Sequence, residues 1–428
     1  MSVKLSKHDE QFLAGQHGEA AQMAMRIIVR MAQVHEAAEL MDVTQAHIDG
    51  CGLLSETGLE FAETLAAKGA RVSVPTTLNM GPLDLQNWRE FGIDEDFAGK
   101  AIRQAKAYTD MGCIPTWTCA PYQSYLTPRF GQQIAWGESN AICYANSVLG
   151  ARTNRYGDYM DICAAITGRV PKCGLHLTEN RKGQILLRLV DVSPAIMQSN
   201  EFYVVLGHLL GSLAESKIVV IDGLADDASG DQLKAFCAAA ASSGQVALFH
   251  AIGLTPEAST FEQAFQGGLP ERTIDITLSD LARARSELST AEEGDKLDLI
   301  VLGCPHFSFD EFRELNELVL AQTEESKALS PGVRFVVISS QTSYALLQRG
   351  DFLDALTDFG IEITLDTCVF HTPMVSQDTK VIMTNSGKCA YYAPGELSVQ
   401  VAFGSMKDCV ESAVQGQVCR EESRWEKS

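Results

Sequence analysis

The sequence predicts an α/β protein of more than one domain built on largely parallel sheets, and three observations carry that expectation. Apolar runs of strand length alternate with helical segments through the second half of the chain. Several of these runs stop directly at a polar or cysteine-bearing loop, which is where open α/β sheets bind ligands. A length of 428 residues with 46% hydrophobic content leaves room for two or three cores.

The runs are Lys217-Ile-Val-Val-Ile221, Gln245-Val-Ala-Leu-Phe249, Leu297-Asp-Leu-Ile-Val-Leu302, Val333-Arg-Phe-Val-Val-Ile338 and Ile361-Glu-Ile-Thr-Leu365. A sixth, Lys380-Val-Ile-Met-Thr384, ends in Asn385-Ser-Gly-Lys388. Earlier in the chain, His8 to Ala38 has the spacing of a long amphipathic helix. A helix is expected from Thr57 to Lys68, then a short strand from Arg71 to Val74 and a loop from Pro75 to Gly81. From Glu90 to Asn180, loops dense in Gly, Pro, Asn, Cys and aromatic residues suggest a site. The expected division is 1–205, an α/β region with polar site loops; 206–410, an α/β domain with cysteine-bearing strand ends; and 411–428, a C-terminal tail read as a solvated helix end.

The balance of 34 basic against 55 acidic residues, a net charge of −21, disfavours nucleic acid and anionic membranes as partners. No segment reaches the roughly 18 consecutive apolar residues of a spanning helix, and the N-terminus lacks a signal peptide's apolar core. A cytoplasmic setting is expected. There the 12 cysteines are thiols that serve packing, reactivity or metal binding rather than disulfides.

Three of them stand out by context. Cys304, in Gly303-Cys-Pro-His306, and Cys368, in Thr364-Leu-Asp-Thr-Cys368, each follow an apolar strand, so both thiols should emerge at carboxyl ends of strands. Cys119 sits in a proline-containing loop of little helix or strand character, and Cys113 competes with it from the same loop. Three thiolates from separate loops can hold a metal with one position open. Their spacing alone is not diagnostic, since no CxxC pair is present. His306 and His371 follow cysteines closely and read either as acid–base or supporting groups or as histidines bonded to loop carbonyls.

The string Trp136-Gly-Glu-Ser-Asn-Ala-Ile-Cys-Tyr-Ala-Asn-Ser-Val-Leu-Gly-Ala-Arg-Thr153 resembles the aconitase X family closely. So do Leu13-Ala-Gly-Gln-His-Gly18, Ala46-His-Ile-Asp-Gly50, Thr118-Cys-Ala-Pro-Tyr122, Gly253-Leu-Thr-Pro-Glu-Ala258, Gly303-Cys-Pro-His306 and Thr384-Asn-Ser-Gly-Lys388, in family order. The resemblance implies an aconitase-like multi-domain α/β/α architecture without the swivelling domain, which a separate small subunit would supply together with a serine as base. It implies an iron-dependent hydro-lyase, with Cys119, Cys304 and Cys368 as ligands. The missing CxxC pair leaves a 2Fe–2S cluster, another iron–sulfur cluster and mononuclear iron all open. The substrate it implies is a small hydroxy-carboxylate: cis-3-hydroxy-L-proline, dehydrated to 1-pyrroline-2-carboxylate, is favoured over mevalonate 5-phosphate. A non-catalytic cysteine-rich α/β binding protein is the alternative of another class.

Elimination of water requires a base for the proton next to the carboxylate and a Lewis acid or general acid for the leaving hydroxyl. Ser386, Lys388 and His306 are the catalytic candidates. Arg152 is the candidate for bidentate carboxylate binding. Ser139, Asn140, Asn146, Ser147, Thr76, Thr77 and His47 are the further substrate-binding candidates, with Glu138 and Asp49 beside them.

Overall fold

The computed structural model describes residues 3–53 and 55–425. The chain forms two compact units, Met1–Lys182 and Gly183–Ser428. A cut at 205/206 would pass through the helix Asn200–Ala214, and the strand Ile185–Leu189 pairs with Val219–Asp222 and Arg272–Ile276, so residues 183–205 fold with the second unit.

The first unit is built around a short parallel sheet in the order Thr76–Leu78, Ala46–Ile48, Ala135–Trp136. Leu40–Asp42 and Arg169–Pro171 form a separate antiparallel pair. The expected long N-terminal helix is two helices, Lys7–Leu13 and Glu19–Val34, interrupted where Gly15 and Gly18 take positive φ. The second buries Ala20, Ala24, Met25, Ile28 and Ala32, the face its apolar spacing specifies. Each of Met25 and Ile28, fully buried, contributes about 2 kcal/mol. Helix Glu56–Ala67 lies where expected. Arg71–Val74 is irregular instead of a strand, because its amides go to Met111 O and Ala165 O rather than to a neighbouring strand; the strand begins later, at Thr76.

The second unit holds two parallel sheets. One runs in the order Phe249–Ala251, Val219–Asp222, Ile185–Leu189, Arg272–Ile276; the other runs Ile361–Leu365, Arg334–Ser339, Leu299–Phe307, Val381–Thr384, Gln400–Phe403. Every pairing in both is parallel, as the apolar runs imply. Each of the six apolar runs meets a strand, although Gln245–Phe249 supplies only the first residue of its own. The last turns of helix Met406–Gln415 run past residue 411, but the segment after it is not all solvated: Trp425 is buried, with its indole N–H donating to Glu201 at 3.2 Å. Residues 426–428 lie outside the described residues. No helix among the described residues is long and apolar enough to cross a membrane.

The central strand of the larger sheet breaks register at its carboxyl end. Leu302 faces Val337 and Phe307 faces Ser339, so Gly303, Cys304, Pro305 and His306 stand opposite Ile338 alone. The excess backbone arches off the ladder. Gly303 makes this possible, with φ +92° and its missing Cβ replaced by Ile338 O, which a Cβ would meet at 2.0 Å. Gly303→Ala is expected to destabilise the second unit by about 3 kcal/mol, read as a lower urea midpoint; an unchanged midpoint would remove this account of the arch.

Candidate active site

In the first unit, three parallel strands end side by side, and each delivers a polar residue to the same edge. Ala46–Ile48 leads to Asp49, Thr76–Leu78 to Asn79, and Ala135–Trp136 to Gly137 and Glu138. The register sets His47 opposite Thr77 and Trp136. Its Nδ1 lies 2.8 Å from Thr77 Oγ1, and the ring tilts against Trp136 at 5.7 Å. Burial holds the imidazole down at about 4, against the opposite pull of the Glu138 charge, so His47 is neutral at pH 7.

Asn79 ties the carboxylates together, donating from Nδ2 to Asp49 Oδ1 and, at 3.0 Å, to Glu138 Oε2. Glu138 is the N-cap of helix Ser139–Ser147. Its Oε1 accepts from Asn140 N at 3.2 Å, Asn140 Nδ2 at 2.8 Å and Ser139 Oγ at 3.1 Å. The helix dipole and these donors suit a negative charge there. Asn140 reaches onward to Cys119 O at 3.0 Å and accepts from Tyr122 OH at 3.1 Å, which fixes the Cys119 loop to the cluster. Behind Asp49 lies Asp161, whose Oδ2 accepts from Asp49 N at 2.6 Å; burial pushes its carboxyl up to about 7. Gly137 permits this crowding, since a Cβ there would meet Asp49 Cβ at 2.7 Å and Asp161 Oδ2 at 2.8 Å.

The structure therefore brings together His47, Thr77, Ser139 and Asn140 with Asp49, Glu138 and the Cys119 backbone. It sets the other substrate-binding candidates elsewhere in the unit. Thr76 turns its hydroxyl back to Val74 O at 2.8 Å. Asn146 and the buried Ser147 lie at the far end of their helix, about 12–13 Å along its axis from Glu138, where Asn146 exchanges hydrogen bonds with Thr153 and accepts from Arg181. Arg152 donates to His176 O at 3.3 Å and Thr178 Oγ1 at 2.8 Å. Asn79 and Asp161 are functional candidates that the sequence reading does not single out. Asp161 does carry a signal, being the one charge in the apolar helix Met160–Thr167.

In the second unit, Cys304 and Cys368 leave the same edge of one sheet, at the ends of strands separated only by Arg334–Ser339. Both are half-buried. The His306 imidazole joins their turns, donating from Nε2 to Thr367 O at 2.7 Å; of the two sequence readings of His306, the loop-carbonyl bond is present. Ser386 comes after the adjacent strand Val381–Thr384, donates its hydroxyl proton to Cys304 O and accepts from Cys389 N at 3.1 Å, capping helix Gly387–Glu396. Lys388 is half-buried in the first turn of that helix. His371 closes the Cys368 turn, its amide donating to Cys368 O at 3.1 Å.

Environment sorts the cysteines. None of the 12 takes part in a disulfide. Burial pushes up the thiols of Cys51, Cys113, Cys163, Cys389 and Cys409 and keeps them protonated. Cysteine sulfur is the donor that iron and iron–sulfur centres take, so the chemistry of Cys304 and Cys368 fits such a group. Among the described residues of each unit, no three His, Cys, Asp or Glu side chains gather as a complete metal site.

Comparison with known proteins matches this architecture along the chain. Family profiles described as the aconitase X first, second and third domains match residues 2–179, 183–286 and 297–415. The chain is 44% identical over 416 residues to a cis-3-hydroxy-L-proline dehydratase of Pseudomonas aeruginosa, covering 96% of this chain and 70% of that protein. It is 36% identical to the phosphomevalonate dehydratase large subunit of Methanothermobacter thermautotrophicus, covering 94% of this chain and 96% of that one. The crystal structure of Thermococcus kodakaraensis aconitase X in its holo-form superposes with a TM-score of 0.85 at 31% identity, covering 96% of this chain and all of the other. With its three domain profiles in order and relatives that are dehydratases, this chain belongs to the aconitase X family.

Proposed function

We propose that the chain is the large subunit of an iron-dependent dehydratase that converts cis-3-hydroxy-L-proline to 1-pyrroline-2-carboxylate. The observation that carries this reading is the 44% identity to a hydroxyproline dehydratase, against 36% to a phosphomevalonate dehydratase. The first unit's chemistry favours it too. The carboxylates of Asp49 and the buried Glu138, bridged by Asn79, attract the secondary ammonium of a proline ring and repel a phosphate dianion. The second reading, phosphomevalonate dehydration, rests on 36% identity to such a large subunit over 94% of this chain.

In the reaction, the bond from C2 to hydrogen and the bond from C3 to oxygen break, water leaves, and the resulting enamine tautomerises to the imine. Cys119, Cys304 and Cys368 are proposed to hold the iron, as a 2Fe–2S or other iron–sulfur cluster or as a single ion. Bound there, it supplies a Lewis acid for the departing hydroxyl. Ser139 and Asn140, held by Glu138, orient the substrate. Ser386, Lys388 and His306 are the acid–base candidates of the second unit, while Arg152, Thr76, Thr77, His47, Asn146 and Ser147 are the remaining substrate-binding candidates. A separate small subunit that brings the base is proposed as partner, on the likeness to the large subunit of a phosphomevalonate dehydratase.

The purified subunit pair, assayed on both compounds, is expected to turn over cis-3-hydroxy-L-proline; turnover of mevalonate 5-phosphate alone would overturn the substrate assignment. Cys119→Ser, Cys304→Ser and Cys368→Ser are each expected to lower iron affinity at least about tenfold, whereas Cys143→Ser keeps it. Full iron in the triple variant removes the ligand set. Asp161 generates a pH dependence of known sign: its folded carboxyl sits at about 7 against an ordinary 3.8, so its stabilising contribution is complete below the lower value and is lost as pH rises through the upper. Wild-type protein should therefore lose stability between about pH 4 and 7, and Asp161→Asn should flatten that slope; equal slopes in urea unfolding would refute it.

A further inference from the structure

Lys234 is a buried cation inside the second unit, 1% exposed on helix Gly230–Gly244. Its ammonium meets Asp231 Oδ1 at 2.9 Å and the Glu311 carboxylate, and donates to the backbone carbonyl of His306 at 3.2 Å. The carboxylates are themselves held: Ser308 Oγ donates to Asp231 Oδ2 at 2.6 Å, and Ser308 N to Glu311 Oε2 at 2.7 Å. Burial opposes the lysine's charge, but the two carboxylates outweigh it and keep the ammonium protonated. Replacing such a buried group with apolar side chains is often neutral or stabilising, so stability alone gives weak reason for it to be here.

Its location supplies a reason. A cavity of about 30 Å³ beside it is lined by Lys234, Glu311, Gly303, Cys304, Asn385 and Ser386. Two carbonyls of the arched turn are gripped from this side: that of Cys304 by the Ser386 hydroxyl and that of His306 by Lys234. The arch has left the strand ladder, so these carbonyls need partners from outside the sheet. Lys234 belongs to the second family domain and the arch to the third, so the ion pair also joins the two within one compact unit.

We propose that Lys234, charged and balanced by Asp231 and Glu311, is a positioning residue that fixes the Gly303–His306 arch and thereby the direction of the Cys304 thiol. The arch geometry stands by itself; the consequence for iron rests on the reading of Cys304 as a ligand. Losing a group that orients a metal ligand lowers metal affinity about ten- to a hundredfold.

The test uses the full chain carrying K234M/E311Q, which removes the cation without stranding Glu311 as a buried charge. Iodoacetamide labelling of the iron-free protein, mapped by mass spectrometry, compares Cys304 with Cys368 as internal reference. Cys304 is expected to change its labelling rate several-fold while Cys368 and the far-ultraviolet spectrum stay as in wild type, and iron affinity is expected to fall about tenfold or more. K234R, which keeps donors toward Glu311 and the carbonyl, is expected to recover most of both. An unchanged Cys304-to-Cys368 labelling ratio in folded K234M/E311Q would overturn the positioning role. A changed ratio with unchanged iron affinity would leave it standing and overturn Cys304 as ligand. If K234M/E311Q does not fold, K234Q/E311Q, whose amides can bond one another but whose shorter residue 234 falls short of the carbonyl, is read in the same way.

Discussion

The close approach of Ile338 O to Gly303 is the constraint on which the second unit's chemistry depends. At that point the carbonyl occupies the place of a side chain, so the strand can stay against its neighbour through Leu302 and then lift away before Phe307 rejoins it. A strand that continued regularly would send alternate side chains to the two faces of a covered sheet, and a cysteine there would be core. The arch instead turns Cys304 to the edge where Cys368 also emerges. It leaves backbone carbonyls without ladder partners, and the surrounding polar groups answer that deficit: Ser386 at Cys304 O and Lys234 at His306 O, while the His306 ring spends its Nε2 proton on Thr367 O. The polar groups around the arch are thus consequences of one irregularity in pairing.

The first unit reaches a polar edge by a related route. Its sheet strands are two or three residues long, too short to stabilise much by pairing, and they hold their positions because the residues at their carboxyl ends are tied together. Asn79 bridges Asp49 and Glu138, Glu138 caps the next helix, and Gly137 lets Asp49 and Asp161 approach where any side chain would separate them. Concentrating carboxylates in a buried place is costly, and the cost shows in Asp161, raised to about 7 by burial. In a chain already at −21, general solubility does not call for more acid at this position.

Much of this is legible in the sequence where signals are long or chemically unusual. The apolar runs mark parallel strands, and the polar strings after them lie at carboxyl ends, because a strand buried on both faces must be continuously apolar. The strand Arg272–Ile276 escapes the sequence reading for the opposite reason: it is an exposed edge whose Arg-Thr-Ile-Asp-Ile reads as loop. Ala46–Ile48 escapes it because three residues carry no period. Arg71–Val74 has strand composition but no strand to pair with. His47, Ser139 and Asn140 are visible through local strings, while Lys234 is hidden because a lysine beside an aspartate in the first turns of a helix looks like solvated surface until long-range packing buries it. Arg152 is a cation conspicuous in the sequence, and its guanidinium donates to a backbone carbonyl and a threonine hydroxyl.

Cysteine identity therefore says little by itself, and surroundings decide what each thiol does. Cys51 lies within reach of three backbone carbonyls, Ile48 O at 3.3 Å and Asn79 O and Met80 O at 3.5 Å, where a protonated thiol can donate and a thiolate would be repelled. Cys389 is buried in the helix that Ser386 caps, and burial, with Cys368 nearby, pushes its thiol up to about 12. Both are committed to the neutral form, the form that packs rather than binds metal. Cys304 and Cys368 differ in being half-buried at a sheet edge. Which of these thiols packs in a core and which stands at a sheet edge therefore depends on where each backbone leaves its sheet, and Gly303 decides that for Cys304.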